Sequence, residues 1–278
     1  MGHRLNIQVK TTRSSALLRW SRRAGALIWR CWRRAIKETV HAAKPWLLDR
    51  GITAPELERL GSDYGGWEVP IQLVKPGAIC YCVGVGIDAS FDMALAGRFG
   101  CEVYSFDPTP MAIEYMRTLP LEGRRHRFLP WGVWKEDTTL KFFVPANPRE
   151  HSNLSMFDLH GTGGYVSAPC KRLSTIMREL GHDHVHLLKL DIEGGWSEVI
   201  QTLVDDDVRP DIVCIEFDSP VTWRRLIRAI GHLRELGMAL IAITKDNYLF
   251  VQRELLVVER RDSHIRGVEL PAEATRTP

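Results

Sequence analysis

Short apolar runs alternate along the chain with longer stretches whose apolar residues recur at three- and four-residue spacing. The short runs 78–83, 103–106, 126–129, 187–191, 211–217, 238–243 and 248–251 predict strands, and 138–144 predicts a further strand that forms half of a hairpin. The longer stretches 90–99, 110–119, 173–180, 196–204 and 222–236 predict helices. Gly100, Gly181 and Gly237 stand where three of these helices should stop, and Pro110 stands where one should start. The resulting order is β-α-β-α-β, an insertion, then α-β-α-β-α-β-β. That order predicts an α/β fold around a seven-stranded, mostly parallel sheet that ends in an antiparallel pair. Residues 145–168 lack periodicity and are rich in Gly, Ser, Asn and His, so they predict a long loop on the substrate side.

The segment before the first strand has a different character. Residues 1–37 carry ten Lys or Arg and no acid, which leaves 27 basic against 34 acidic residues for the rest of the chain. Within it, Leu17, Trp20, Ala24, Leu27, Ile28, Cys31, Trp32 and Ala35 follow a helical spacing with arginines between them. Three readings stay open: a basic amphipathic helix on an anionic membrane surface, a helix packed on the body, and an organellar transit peptide. Residues 45–76 read as a connector with a short helical piece at 55–60 and a loop at 64–67; it reads equally as a lid folded over a ligand and as a surface linker with two anchoring aromatics. The domain boundaries expected are 1–44 for the basic extension, 45–76 for the connector, 77–258 for the sheet domain and 259–278 for a charged tail.

Composition narrows the partners. The acidic body argues against a nucleic-acid enzyme with a basic binding face. None of the six cysteines forms a C-x-x-C pair, so they read as reduced thiols of an intracellular protein. No apolar run approaches the roughly 20 residues of a membrane span. The expected location is cytoplasmic, peripheral at a membrane if the basic segment binds one.

Candidate chemistry gathers where the predicted strands end. The first strand runs into Gly84 and Gly86, where missing side chains let backbone approach a ligand. The second ends in Asp107, placed to accept hydrogen bonds from ribose hydroxyls. Open α/β sheets bind ligands outside the carboxyl ends of their strands. Collecting those ends yields the glycine turn with Asp88, Asp107, 131–133, Asp191 with Glu193, and Glu216 with Asp218. Trp131 or Val133 would wall an adenine ring, with a core aromatic as the other reading of Trp131. Gly84, Gly86 and Ala89 also satisfy G-x-G-x-x-A, which keeps an NAD(P)-linked oxidoreductase open. Asp88 opposes it, because a carboxylate at the helix mouth repels a pyrophosphate. Asp88 reads equally as a helix cap and as a ligand contact. His182, His184 and His186 alternate, but precede the opposite edge of the sheet and read as solvent-exposed. No metal site is expected.

The blocks VGVGIDASFD at 83–92, VYSFDPTP at 103–110, KRLSTIMRELG at 171–181, LLKLDIEGG at 187–195 and IVCIEFD at 212–218 resemble the FkbM-type S-adenosylmethionine (SAM)-dependent methyltransferases. The resemblance implies a Rossmann-like class I methyltransferase sheet, SAM as cofactor, and O-methylation of a sugar, glycolipid or natural-product hydroxyl. It implies a small-molecule or glycan acceptor, and no nucleic acid. Gly84, Gly86, Asp107 and Asp191 match the family's cofactor-side pattern, and Glu193 matches the acid of its D-x-E-G block. The candidate cofactor-binding set is therefore Gly84, Val85, Gly86, Asp88, Asp107, Pro108, Trp131, Gly132 and Asp191. The candidate general bases are Asp191, Glu193 and His151. Two positions depart from the pattern: Cys82 replaces a first-strand acid, and Trp196 with Ser197 replaces a second glutamate. A membrane-associated SAM-binding protein without turnover is the alternative those departures leave.

Overall fold

A computed structural model describes residues 44–53, 55–121, 125–143, 165–192, 194–217 and 221–256. The basic extension up to residue 43, His151, Glu193, Asp218 and the tail from 257 lie outside the described residues.

The described chain is built on one seven-stranded sheet. It contains β3 (Ile79–Val83), β4 (Glu102–Phe106), β5 (His126–Leu129), β9 (Leu187–Leu190), β10 (Ile212–Glu216), β11 (Met238–Thr244) and β12 (Asn247–Gln252). Their order across the sheet is β11-β12-β10-β9-β3-β4-β5. The pairs β10–β9, β9–β3, β3–β4 and β4–β5 are parallel, and β12 inserts antiparallel between β10 and β11. The chain reverses direction across the sheet between β3 and β9, which opens a crevice at their carboxyl ends. This is the predicted layout, with strand ends displaced by a residue.

Each central strand is buried on both faces, as parallel strands between helices require. Along β3, Tyr81 and Val83 pack with α3 (Leu173–Leu180), α4 (Trp196–Asp205) and α5 (Trp223–Glu235), while Cys80 and Cys82 face α1 (Ser90–Phe99). α1 stops on the left-handed Gly100 and α3 on Gly181, as predicted. α2 (Pro110–Arg117) starts with Thr109 capping the Ala112 amide. Cys80, Cys82, Cys101, Cys170 and Cys214 are buried free thiols. Among the described residues no helix is long and apolar enough to cross a membrane.

Two expectations need correction. The helical piece at 55–60 is instead strand β1 (Leu57–Leu60), paired antiparallel with β2 (Trp67–Pro70). Pairing with the next strand across a short turn overrides the helix-start signal of Pro55, because it buries Leu60, Trp67 and Val69 against the α1 face of the sheet. The predicted loop at 145–168 becomes strand from residue 165: β8 (Tyr165–Lys171) pairs with β7 (Thr138–Phe143) and β6 (Gly132–Val133) in a small second sheet. Alternate residues Ala168 and Cys170 are buried along it. The rest of that loop lies outside the described residues.

The histidine trio sits at the amino-terminal edge of the sheet, and only His184 is exposed. His182 Nδ1 lies 2.7 Å from the Tyr81 hydroxyl, and His186 Nδ1 accepts the Ile79 amide at 2.9 Å. The second bond leaves the ring proton of neutral His186 on Nε2. His184, His186 and Asp211 therefore cluster within 4.8 Å, yet His186 presents no lone pair outward to a cation. Burial lowers the pKa of both half-buried histidines, helped by Arg127 at His182 and by His184 at His186. The unfolded chain then takes up protons more readily than the folded one, so this contribution to stability is present above pH 6.5 and drains away as pH falls below it. Thermal melting should show a midpoint that declines from pH 7.5 to 5.5 in the natural protein, and declines less in His182→Gln/His186→Gln. Equal slopes would remove these histidines as the cause.

Candidate active site

A cavity of about 370 Å³ lies at the carboxyl ends of β3, β4, β9 and β10. Its wall brings together most of the predicted set: Gly84, Val85, Gly86, Asp88, Asp107, Pro108, Gly132 and Asp191. Val133, Phe142 and Glu216 join them. Trp131 does not line it. Its ring packs under the Lys171 ammonium, 4.0 Å away, against the core, so the adjacent Val133 is the residue that walls the cavity.

The glycine turn is held from several sides. Gly84 has φ +84, and a Cβ there would come within 1.8 Å of the Asp191 carbonyl oxygen, so β3 and β9 approach this closely only over a glycine. Gly86 has φ +56, and a Cβ there would meet nothing within 4 Å. The Gly84 amide donates to the Phe106 carbonyl at 2.9 Å.

Asp107 braces the same turn. One carboxylate oxygen accepts the Val85 and Gly86 amides at 3.0 and 2.9 Å. The other accepts the Thr109 amide at 2.9 Å and the Thr109 hydroxyl at 2.6 Å. These four bonds use the four acceptor directions of a carboxylate. Asp107 thus meets the cavity as a structural brace rather than as an open acceptor for ribose hydroxyls.

Asp88 likewise has fixed partners. It accepts the Ser90 amide at the start of α1 at 2.9 Å, the Gly65 amide at 3.2 Å and the Ser62 hydroxyl. Burial alone would raise its pKa, but the Ser62 and Ser90 hydroxyls and the two amides reverse this and hold it low. It is therefore a cap, and it also pins the turn between β1 and β2 over the glycine loop. Tyr64 and Gly65 of that turn line the cavity. Tyr64 at 77% and Ile87 at 48% exposure form an apolar rim.

Sequence reasoning missed Lys189. It stands within the apolar β9, only 3% exposed, with its ammonium at the cavity wall. It donates to the Gly84 carbonyl at 2.5 Å and pairs with Asp191 at 3.2 Å. Its neighbours in register are Cys82 on one side and Cys214 on the other. Burial opposes its charge, but Asp191, then Asp92 and Cys82, outweigh burial and push its pKa up to about 12. Asp92, on α1 and 2% exposed, bonds the Ser105 hydroxyl, whose oxygen lies 2.6 Å from His126 Nε2. A lysine flanked only by leucines was the available signal.

Residues 82–237 match the Methyltransferase FkbM domain. The chain belongs to that family. S-adenosyl-L-methionine is the cofactor that goes with this family and fold, and the FkbM cavity fits it: a glycine turn open at Gly86, and four acids against one lysine among its described lining residues. The human probable methyltransferase-like protein 24 is 25% identical over 144 residues, which cover 51% of this chain and 32% of that protein. The rat protein of the same name is 24% identical over 51% of this chain and 33% of its own length. The chain spans about a third of the length of these curated relatives. Among solved structures, the Aeropyrum pernix fibrillarin with natively bound SAM is 13% identical and covers 72% of this chain and 84% of its own, with a TM-score of 0.37. A TehB-like SAM-dependent methyltransferase from Corynebacterium glutamicum is 11% identical over 66% of this chain and 86% of its own, with a TM-score of 0.35. Likenesses of that size carry no weight for activity.

Proposed function

We propose that this FkbM protein transfers a methyl group from SAM to a hydroxyl oxygen of a sugar, glycolipid or natural-product acceptor. The observation that carries the methyl-donor half of this reading is the grouping of Asp88, Asp107, Asp191 and Glu216 around one glycine turn. Carboxylates there favour a sulfonium and an ammonium over the two phosphates of a dinucleotide. The hydroxyl half rests on the family resemblance and on the carboxylate of Asp191 at the cavity wall, about one third exposed.

Bound SAM supplies an already activated methyl group, so the chain's task is alignment. The turn at Gly84–Gly86 admits the cofactor backbone-close, and Val133 offers it an apolar wall. Tyr64 and Ile87 shield the mouth from water. The acceptor's hydroxyl proton needs a base. Asp191 is the described candidate; Glu193 and His151 are the other two. Lys189, with its pKa pushed up to about 12, remains protonated at neutral pH and cannot serve.

Calorimetry with SAM and NAD separately tests the donor. Binding of SAM with no heat from NAD is expected, and the reverse would restore the oxidoreductase reading. A methyl-release assay over hydroxylated acceptors then tests turnover, with Asp191→Ala expected to lose most of it. Turnover unchanged in Asp191→Ala would remove that residue from the site.

A further inference from the structure

We propose that Lys189 is a positioning residue of the cofactor site: it clamps the peptide between Gly84 and Val85 in the orientation that receives the methyl donor. The inference rests on the methyl-donor reading above.

A single peptide group is held at both ends. Its carbonyl oxygen, on Gly84, takes the Lys189 ammonium at 2.5 Å. Its N–H, on Val85, gives its proton to Asp107 at 3.0 Å. A cation on the oxygen and an anion on the N–H align with the peptide dipole and oppose rotation of that group. Rotation is otherwise cheap here, because Gly84 has φ +84 and no side chain to restrict it. A flip would also pull the Gly86 amide from Asp107, and Gly84, Val85 and Gly86 together floor the cavity.

The surroundings say that this lysine is not there for packing. It sits between Leu188 and Leu190 in a strand covered on both faces. A charge in such a place is costly unless it is paired, and a leucine would fill the space without that cost. Asp191 pairs with the ammonium at 3.2 Å from the cavity side. Asp92, sealed on α1 and held by Ser105, adds a favourable charge from farther away, where no ligand in the cavity displaces it.

Stability and binding can be read separately on the full chain. Removing the lysine leaves Asp92 buried without its cation, which lowers stability; neutralising Asp92 as well should restore it. Neither change returns a donor to the Gly84 carbonyl. We therefore expect Lys189→Met to melt lower and to bind SAM on the order of 10- to 100-fold more weakly, the loss of one hydrogen bond from a charged donor. Lys189→Met/Asp92→Asn should regain most of the melting midpoint while binding SAM as weakly as Lys189→Met. Asp92→Asn alone should bind SAM within about threefold of the natural protein, because the donor stays in place. Affinity that returns together with stability in the double variant, or natural affinity in Lys189→Met, overturns the proposal. Should neither lysine variant fold, a large loss of SAM affinity in a folded Asp92→Asn overturns it instead. A natural protein that binds no SAM refutes the methyl-donor reading itself, a different outcome from any of these.

Discussion

Asp107→Asn is expected to lose SAM binding by on the order of 100-fold or more while keeping the shape of the side chain. The reason is the direction of its hydrogen bonds. Each carboxylate oxygen accepts two bonds, from Val85 and Gly86 on one side and from the amide and hydroxyl of Thr109 on the other. Asparagine supplies only one oxygen. Whichever way its amide turns, an NH2 group confronts backbone amides that are themselves donors. The Thr109 hydroxyl can rotate, but its amide cannot. At least one buried N–H is left without a partner, and bonds to a charged acceptor are lost. Such losses cost about 1.5–3 kcal/mol each. Two of them correspond to a melting midpoint lower by roughly 6–20 °C in a chain of this size. The same loss loosens the turn that floors the cavity, so affinity falls with stability. Thermal melting and SAM calorimetry on one preparation read both. An Asp107→Asn protein that melts and binds like the natural one would mean that the turn is not organised by this carboxylate.

Pattern carried the sheet because both of its signals are local. The buried strands are short apolar runs, and the helices between them end on glycines such as Gly100 and Gly181 that adopt left-handed backbone. The turn at 64–66 was legible but the pairing of β1 with β2 was not, because what makes Leu57–Leu60 a strand is a partner beyond that turn rather than anything in its own residues. The site was legible only as an address. Strand ends located Asp88, Asp107 and Asp191 at one edge, and one cavity does collect them. Their partners decide their roles, and the deciding ones are not adjacent in sequence for two of the three: Ser62 and Gly65 for Asp88, the Val85 and Gly86 amides for Asp107, and Lys189, two residues back, for Asp191. Trp131 failed as a cavity wall for a similar reason. Its neighbour Gly132 continues into β6, and Lys171 on β8 covers the indole ring.

Lys189 shows why the charges in this fold must be read as a set. Along β9 it looks like an interruption of an apolar strand. Across the sheet it lies level with Cys82 and Cys214, its ion pair is made with Asp191 two residues on, and a sealed carboxylate on a helix, Asp92, adds to the charge that keeps it protonated.

Gly84→Ala and Gly86→Ala are expected to separate by a wide margin, although both residues have positive φ and stand two positions apart. At Gly86 the added Cβ meets nothing within 4 Å. Its cost is that of a side chain in left-handed backbone, about 1–2 kcal/mol, so the protein should fold, melt a few degrees lower and bind SAM less well because the new methyl projects where ligand would sit. At Gly84 the same strain is joined by a collision: the Cβ would stand 1.8 Å from the Asp191 carbonyl oxygen. The obstacle is backbone in the centre of the sheet, not the end of a flexible side chain. Relief requires β3 and β9 to part, which would also weaken the bond from the Asp191 amide to the Val83 carbonyl, now 3.0 Å, and move Lys189 away from the Gly84 oxygen. Overpacking of a tight contact costs about 1–3 kcal/mol even where side chains can yield, so here the loss should exceed that of Gly86→Ala several-fold and leave little folded protein at 37 °C. Soluble yield and melting midpoint of the two variants side by side make the comparison. If Gly84→Ala is as stable as Gly86→Ala, then β3 and β9 do not meet over Gly84 as described, and the cavity built on that contact must be redrawn.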